Sequence, residues 1–158
     1  MTLPDDIYSQ SILELAAAMP RTARLAAPQA TARAHSKLCG STVTVDLAME
    51  GDLVTDYGQS VKACLLGQSA ASVMGREIIG STAVELRAVG SAMRRMLKED
   101  GPPPHGKWGD LAVLEPVRDY KARHASTLLV FDAVEDAISQ IEAKRAAEAK
   151  APRSEEHV

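Results

Sequence analysis

Aromatic side chains are scarce in this sequence: one Trp, three Tyr and one Phe make up 3% of 158 residues. The core must therefore be built from Ala, Val, Leu, Ile and Met. Cysteine is almost as rare, with Cys39 in LCGST and Cys64 in KACLLG, so one disulfide is the most the chain could form. No apolar run approaches the roughly 20 residues that cross a bilayer. The opening MTLPDDIYSQ is acidic and polar, neither a secretory signal nor an Arg-rich transit peptide. A cytoplasmic location with reduced thiols is the expectation, and there metal binding or simple burial is favoured over a disulfide. An excess of positive charge is also missing. Eighteen Lys and Arg face 21 Asp and Glu, for a net charge of −3 and a pI near 5.8. Neither nucleic acid nor a membrane surface is the expected partner. The sequence has no internal repeat.

What is present describes a globular protein. Apolar residues make up 46% and charged residues 25% of a chain long enough for one core. DDIYSQSILELAAAMP predicts a helix capped by Asp5 or Asp6, with Tyr8, Ile12, Leu15 and Ala16 at helical spacing and Pro20 as the stop. The following stretch is weakly patterned and includes a candidate edge strand that would tolerate Pro28. Val43, Val45 and Leu47 then alternate with Thr44 and Asp46, MEGD supplies a turn, and LVTDYGQSV returns, which predicts a β-hairpin.

From Cys64 the period changes to a helical one, with Leu66, Ala70, Val73 or Met74, and Ile78 on one face as far as Gly80. A second helix starts at Thr82 with Glu85 in a capping-box pattern and lines up Leu86, Val89, Met93 and Met96. EDGPPPHGKWGD reads as a loop, LAVLEPVRDYKARHAS as a helical turn plus a connector. A last long helix starts near Ser126, with Phe131, Val134, Ile138 and Ile141 on one face. The reading is α+β: one domain over 1–142, a small antiparallel sheet covered by helices, and a polar, frayed tail over 143–158.

The two thiols are the residues with chemistry to offer. Cys64 falls where a strand gives way to a helix, and the positive end of a helix dipole favours the thiolate. Cys39 precedes the hairpin and Cys64 follows it, so the hairpin would bring the two sulfurs toward one sheet edge. The plain alternative is that both are small buried apolar residues, as free cysteines often are.

LCGSTVTVDLAMEGDLVTDYGQSVKACLLGQSAASVMGREIIGST resembles the core of the IscU/SufU/NifU N-terminal family of iron–sulfur cluster scaffolds. That family shows a Cys-Gly, a hairpin with a Gly-Asp-type turn, and a Gly-Cys or Ala-Cys followed by small residues and a helix. LEPVRDYKARHASTLLVFDAVEDAI resembles the family's later segment, so the likeness spans about residues 5 to 140. It implies an IscU/SufU-like α+β fold with about three strands. It places Cys39 and Cys64 on the family's first two cysteine ligands, and His124 on the His or Lys before the third. The third position is Ala125, and the family's Asp is Ser41. LEPVR resembles the LPPVK stretch read by a dedicated ATPase chaperone, with Glu115 and Arg118 substituted. The long segment before it is similar to the insertion of the SufU branch.

What the resemblance implies is a non-enzymatic scaffold. It would hold iron, zinc or a nascent 2Fe–2S cluster at Cys39, Cys64 and His124 and pass it to acceptor proteins. A cysteine desulfurase and apo iron–sulfur acceptors would be its partners. Two sulfurs and one imidazole suit iron or zinc but leave a closed four-ligand site incomplete. A homodimer with Cys39 and Cys64 from each chain would supply four thiolates. Two other readings stay open: a thiol-dependent sulfur-transfer protein using Cys64, and a degenerate partner-binding module of the same fold. His35 is a spare-ligand candidate, His105 reads as a surface loop residue, and His157 carries no assigned role.

Overall fold

Alternation in the hairpin segment becomes a two-faced sheet. The structure is a computed structural model and describes residues 9–38 and 40–150. Strands β1 (Ala30–His35), β2 (Thr42–Glu50) and β3 (Leu53–Lys62) form one antiparallel sheet in the order β1-β2-β3. β1 is the edge strand expected in the weakly patterned stretch, and Pro28 precedes it. Register places Ala32, Val45 and Gln59 in one row and Ala34, Val43 and Val61 in another, all on the inner face. Val43, Val45, Leu47 and Met49 are buried there. Gly51, at φ +60°, makes the tight β2–β3 turn in a conformation other residues resist.

Helices cover the inner face. Helix α1 (Gln10–Ala17) is capped by Ser9, whose hydroxyl accepts the Ile12 N–H. The expected caps Asp5 and Asp6, and Tyr8, lie outside the described residues. Helix α2 (Leu65–Glu77) buries Leu66, Ala70, Val73 and Met74. Helix α3 (Ala83–Lys98) buries Leu86, Val89, Met93 and Met96, and helix α4 (His124–Lys150) buries Phe131, Val134, Ile138 and Ile141. Each such Leu, Ile, Val, Met or Phe side chain contributes about 1.5–3 kcal/mol by leaving water. Small residues on α2 serve the packing: a Cβ on Gly67 would come within 2.8 Å of the Ala63 Cβ and 3.0 Å of the Ser126 carbonyl oxygen.

Two details depart from the sequence reading. The capping box at α3 is half made. Thr82 Oγ1 accepts the Glu85 N–H at 3.0 Å, but the Glu85 carboxylate turns to Trp108 Nε1 at 2.8 Å and Lys107 Nζ at 3.2 Å. That contact ties the Pro-rich loop to α3. A run of 3₁₀ turns (Gly106–Asp119) and a short one (Lys121–Arg123) then lead into α4. The second detail is that α4 continues past 142 to Lys150, where a frayed tail was expected. Lys144 donates to the Gln29 carbonyl and Arg145 to those of Gly51 and Met49, which holds this turn against the hairpin. Among the described residues no helix is long and apolar enough to cross a membrane.

The outer face of the sheet has its own cover over part of its length. The strap between α1 and β1 runs along β3, where Gln59 N–H donates to the Arg21 carbonyl. It then crosses the row Thr31–Asp46–Gly58. Asp46 is fully buried beneath it and accepts from Arg24 Nε and Nη2, Thr31 Oγ1 and Leu25 N–H at 2.5–3.0 Å. Burial pushes this carboxyl's pKa up, but the hydrogen bonds and the Arg24 charge more than offset it and hold the group below its ordinary range.

Candidate functional site

Cys64 stands at the junction of β3 and α2, as its N-cap, with extended backbone (φ −67°, ψ 172°). Its side chain makes no capping hydrogen bond and is half-buried. The first amides of α2 have no partner within the helix, so this end of the helix carries positive potential. The sulfur's one polar contact among the described residues is Ser126 Oγ, at 3.5 Å. Ser126 sits in the first turn of α4, and its hydroxyl also reaches the Arg123 carbonyl. The absence of a Cβ at Gly67 permits this approach of α2 to α4. Sequence reasoning missed Ser126; its place two residues after His124 at a helix start was the available signal.

His124 is the first residue of α4 and is buried. Its Nε2 lies 3.1 Å from both the Val117 and the Arg118 carbonyl oxygens. Carbonyls only accept, so Nε2 carries the proton and the neutral ring has its lone pair on Nδ1. Nδ1 is thus the ring atom left for a metal. Donation of the other ring N–H to a carbonyl is the usual arrangement of a ligating histidine, and equally of a structural one. Cys64 meets the start of α4 through Ser126, whereas the His124 ring is held by the 3₁₀ segment.

Cys39 lies outside the described residues. Its neighbours define the loop: Gly40 N–H donates to the Ser36 carbonyl at 2.8 Å, and Ser36 N–H to the Ser41 carbonyl at 2.9 Å. Thr42, next in the chain, pairs with Lys62 of β3, so residues 40–41 and the 63–64 junction share one end of the sheet. Ser41 is buried. Among the described residues no group of three His, Cys, Asp or Glu side chains is arranged to hold a metal ion.

Ala125, where the sequence resemblance would place a third cysteine, is exposed. It lines an open cleft of about 440 Å³ with His124, Lys98, Asp100, Arg118 and Lys121. Arg118 is anchored by Glu115 at 3.0 Å and by the Gly101 carbonyl at 3.1 Å, so the two substituted residues of LEPVR pair with each other. His35 Nδ1 lies 3.0 Å from Thr42 Oγ1 on the outer sheet face. His105 is exposed beside Trp108 and Pro104. His157 lies outside the described residues.

A three-stranded antiparallel sheet backed by helices, with a half-exposed thiol where the last strand meets a helix, defines an α+β protein of the cluster-scaffold architecture. The known proteins it is similar to share that architecture. The crystal structure of a nitrogen-fixing NifU-like protein (N-terminal) from Brucella abortus superposes with a TM-score of 0.87 and 62% sequence identity, over 89% of this chain and 97% of that one. The iron–sulfur cluster assembly scaffold protein IscU of Thermotoga maritima is 23% identical over 135 residues, 85% of this chain and 94% of the relative. A putative scaffold protein for the SUF system from Fervidobacterium islandicum shares the fold, with a TM-score of 0.77 at 22% identity over 84% of this chain and 97% of that one. No protein-family model matches the sequence. The chain belongs to the IscU/SufU/NifU family of iron–sulfur cluster assembly scaffold proteins.

Proposed function

We propose that the protein is an iron–sulfur cluster assembly scaffold. The observation that carries this reading is the 62% identity to a NifU-like N-terminal protein across nearly the whole of both chains. The half-exposed Cys64 at the α2 N-terminus supports it. In this reading Cys39, Cys64 and His124, through Nδ1, hold iron, zinc or a nascent 2Fe–2S unit as cargo. Thiolate and imidazole suit these metals, and metal binding releases the thiol protons. With Ala125 in place of a third thiol, one chain offers an incomplete ligand set. A partner's thiol or a second copy completes it, and incomplete ligation makes the cargo easy to release.

The protein carries and transfers; it does not itself catalyse. Sulfur arrives from a cysteine desulfurase as a persulfide on Cys39 or Cys64, and apo iron–sulfur proteins of the cytoplasm receive the cluster. Anaerobic reconstitution with iron and sulfide tests this. Cluster absorption bands at near-stoichiometric loading, lost in Cys64→Ala, are the expected result. Metal-free protein whose Cys64 alkylates rapidly would instead favour the sulfur-transfer reading.

A further inference from the structure

The half of the outer sheet face beyond the strap carries two cations without a partner among the described residues, beside hydroxyls of which Thr42 Oγ1 meets His35 Nδ1. Arg33, Thr44 and Ser60 stand side by side across the three strands. One step nearer the cysteine end, so do His35, Thr42 and Lys62. A shallow cleft of about 390 Å³ is lined by Arg24, Arg33, Thr42, Thr44, Ser60 and Lys62, with no carboxylate among them. Arg24 is engaged by Asp46. Arg33 and Lys62 have no hydrogen-bond or ion-pair partner among the described residues. Arg76, Arg87, Arg94, Lys107 and Arg118 meet carboxylates. What sets Arg33 and Lys62 apart from other unpaired surface cations such as Lys98 and Lys121, which have Asp100 beside them, is a shared cleft with no carboxylate in its lining. It is more notable in a chain of net charge −3.

Arg33 and Lys62 are two unneutralised cations flanking a row of hydroxyls. They form a surface complementary to negative charge. The spacing bears on what kind. Strands lie roughly 5 Å apart and same-face residues roughly 7 Å apart along a strand. The donors are therefore spread over an area of roughly 10 by 7 Å rather than converging on one point, which suits several carboxylates on one extended segment better than a single phosphate. The cleft also adjoins the thiol end, since Lys62 precedes Cys64 by two residues in the chain.

We propose that this open half of the outer face docks an acidic polypeptide segment of a protein that works at the thiol end. Arg33 and Lys62 receive its carboxylates, and Thr42, Thr44 and Ser60 donate hydroxyl hydrogen bonds. The scaffold reading supplies the reason for a partner to come there; the binding itself does not depend on it. The test is an amide-resolved NMR titration of the full chain with hexaglutamate, and in parallel with pyrophosphate, at low and physiological salt. Saturating shifts centred on residues 33, 42, 44, 60 and 62 are expected, weakening with salt. Arg33→Glu/Lys62→Glu should reduce hexaglutamate affinity about tenfold, and Lys98→Glu/Lys121→Glu should leave it in place. Shifts centred on 98 and 121, binding unchanged in the first double variant, or tighter saturation of the same residues by pyrophosphate would overturn the proposal. Iron–sulfide loading, read by absorption, stays unchanged in Arg33→Glu/Lys62→Glu, so a failure of docking and a failure of the scaffold reading are separate results.

Discussion

One sheet face carries two opposite solutions to polar groups on β-strands. In the row Thr31–Asp46–Gly58, a strap covers the strands and every acceptor site of a buried carboxylate is filled. In the next two outer rows toward Cys64, Arg33 and Lys62 are exposed and Thr42, Thr44 and Ser60 lie half-buried along an open cleft. The difference lies in what the chain places above them. Gly58 has no Cβ, so the strap's backbone can settle on the sheet, because a Cβ there would overlap the Ala23 carbonyl oxygen. At Ser60 and Lys62 the side chains fill that space and the strap has already passed. Polar satisfaction fixes structure at one end of the face and leaves binding capacity at the other.

The covered row should break hardest. Asp46→Ala removes the acceptor from Thr31 and the Leu25 N–H and leaves Arg24 to solvent. Because Arg24 is half in water, the loss falls at the low end for a broken buried pair, about 3 kcal/mol, or about 9 °C in melting temperature. The folded pKa of Asp46 is depressed, so its contribution is complete above the unfolded value of 3.8 and is lost as pH falls below that. The melting-temperature gap between wild type and Asp46→Ala should therefore be constant near neutrality and close in acid. A gap that persists unchanged at pH 2.5 would mean the carboxylate charge is not what holds the strap.

Gly58→Ala attacks the same row from the other side and should cost about 2 kcal/mol by overpacking against backbone that cannot rotate away. Gly90→Ala is its control. A Cβ there meets the flexible end of Glu135, and a helix interior prefers Ala over Gly by about 1 kcal/mol. Urea unfolding of the two variants should give changes of clearly different size; equal losses would remove the strap from the explanation.

At the open end, the informative change adds a group. Ala125 is exposed beside His124, so Ala125→Cys adds a thiol where the resemblance would place a third ligand, without disturbing the core. Release of bound zinc or iron to a chelator should slow on the order of tenfold, about 1.4 kcal/mol, because a soft anionic ligand replaces water. Unchanged release would place the cargo away from the start of α4.

The sequence reading and the structure part along the same line. The inner face was legible because burial imposes a period: Val43, Val45 and Leu47 by twos, Leu86, Val89, Met93 and Met96 by helical turns. The junction at Cys64 was legible because the period changes there. Asp46 was read as the polar half of an alternation, since nothing local tells that a segment more than 20 residues earlier will cover it. Ser126 was passed over for the same reason, as its sulfur contact comes from a distant strand end. The helical stretch from 143 to 150 looked frayed by composition, but the carbonyls that hold Lys144 and Arg145 belong to β2, its turn and the residue before β1. Contacts between elements distant in sequence leave no period to read.

The finest cut on the comparison uses one residue type at two positions of the same outer face. Thr31 donates to Asp46 at 2.6 Å, whereas Thr44 faces the open cleft with no such carboxylate. Thr→Val keeps shape and strand preference, so it reads the hydroxyl alone. Thr31→Val removes a hydrogen bond to a buried charge and should cost about 1.5 kcal/mol. Thr44→Val should stay within about 0.5 kcal/mol, because water replaces whatever its hydroxyl does in the free protein. Chemical unfolding of both variants under identical conditions resolves that gap. A Thr44→Val loss as large as that of Thr31→Val would show the open rows to be part of the fold after all, rather than a surface kept free for something else.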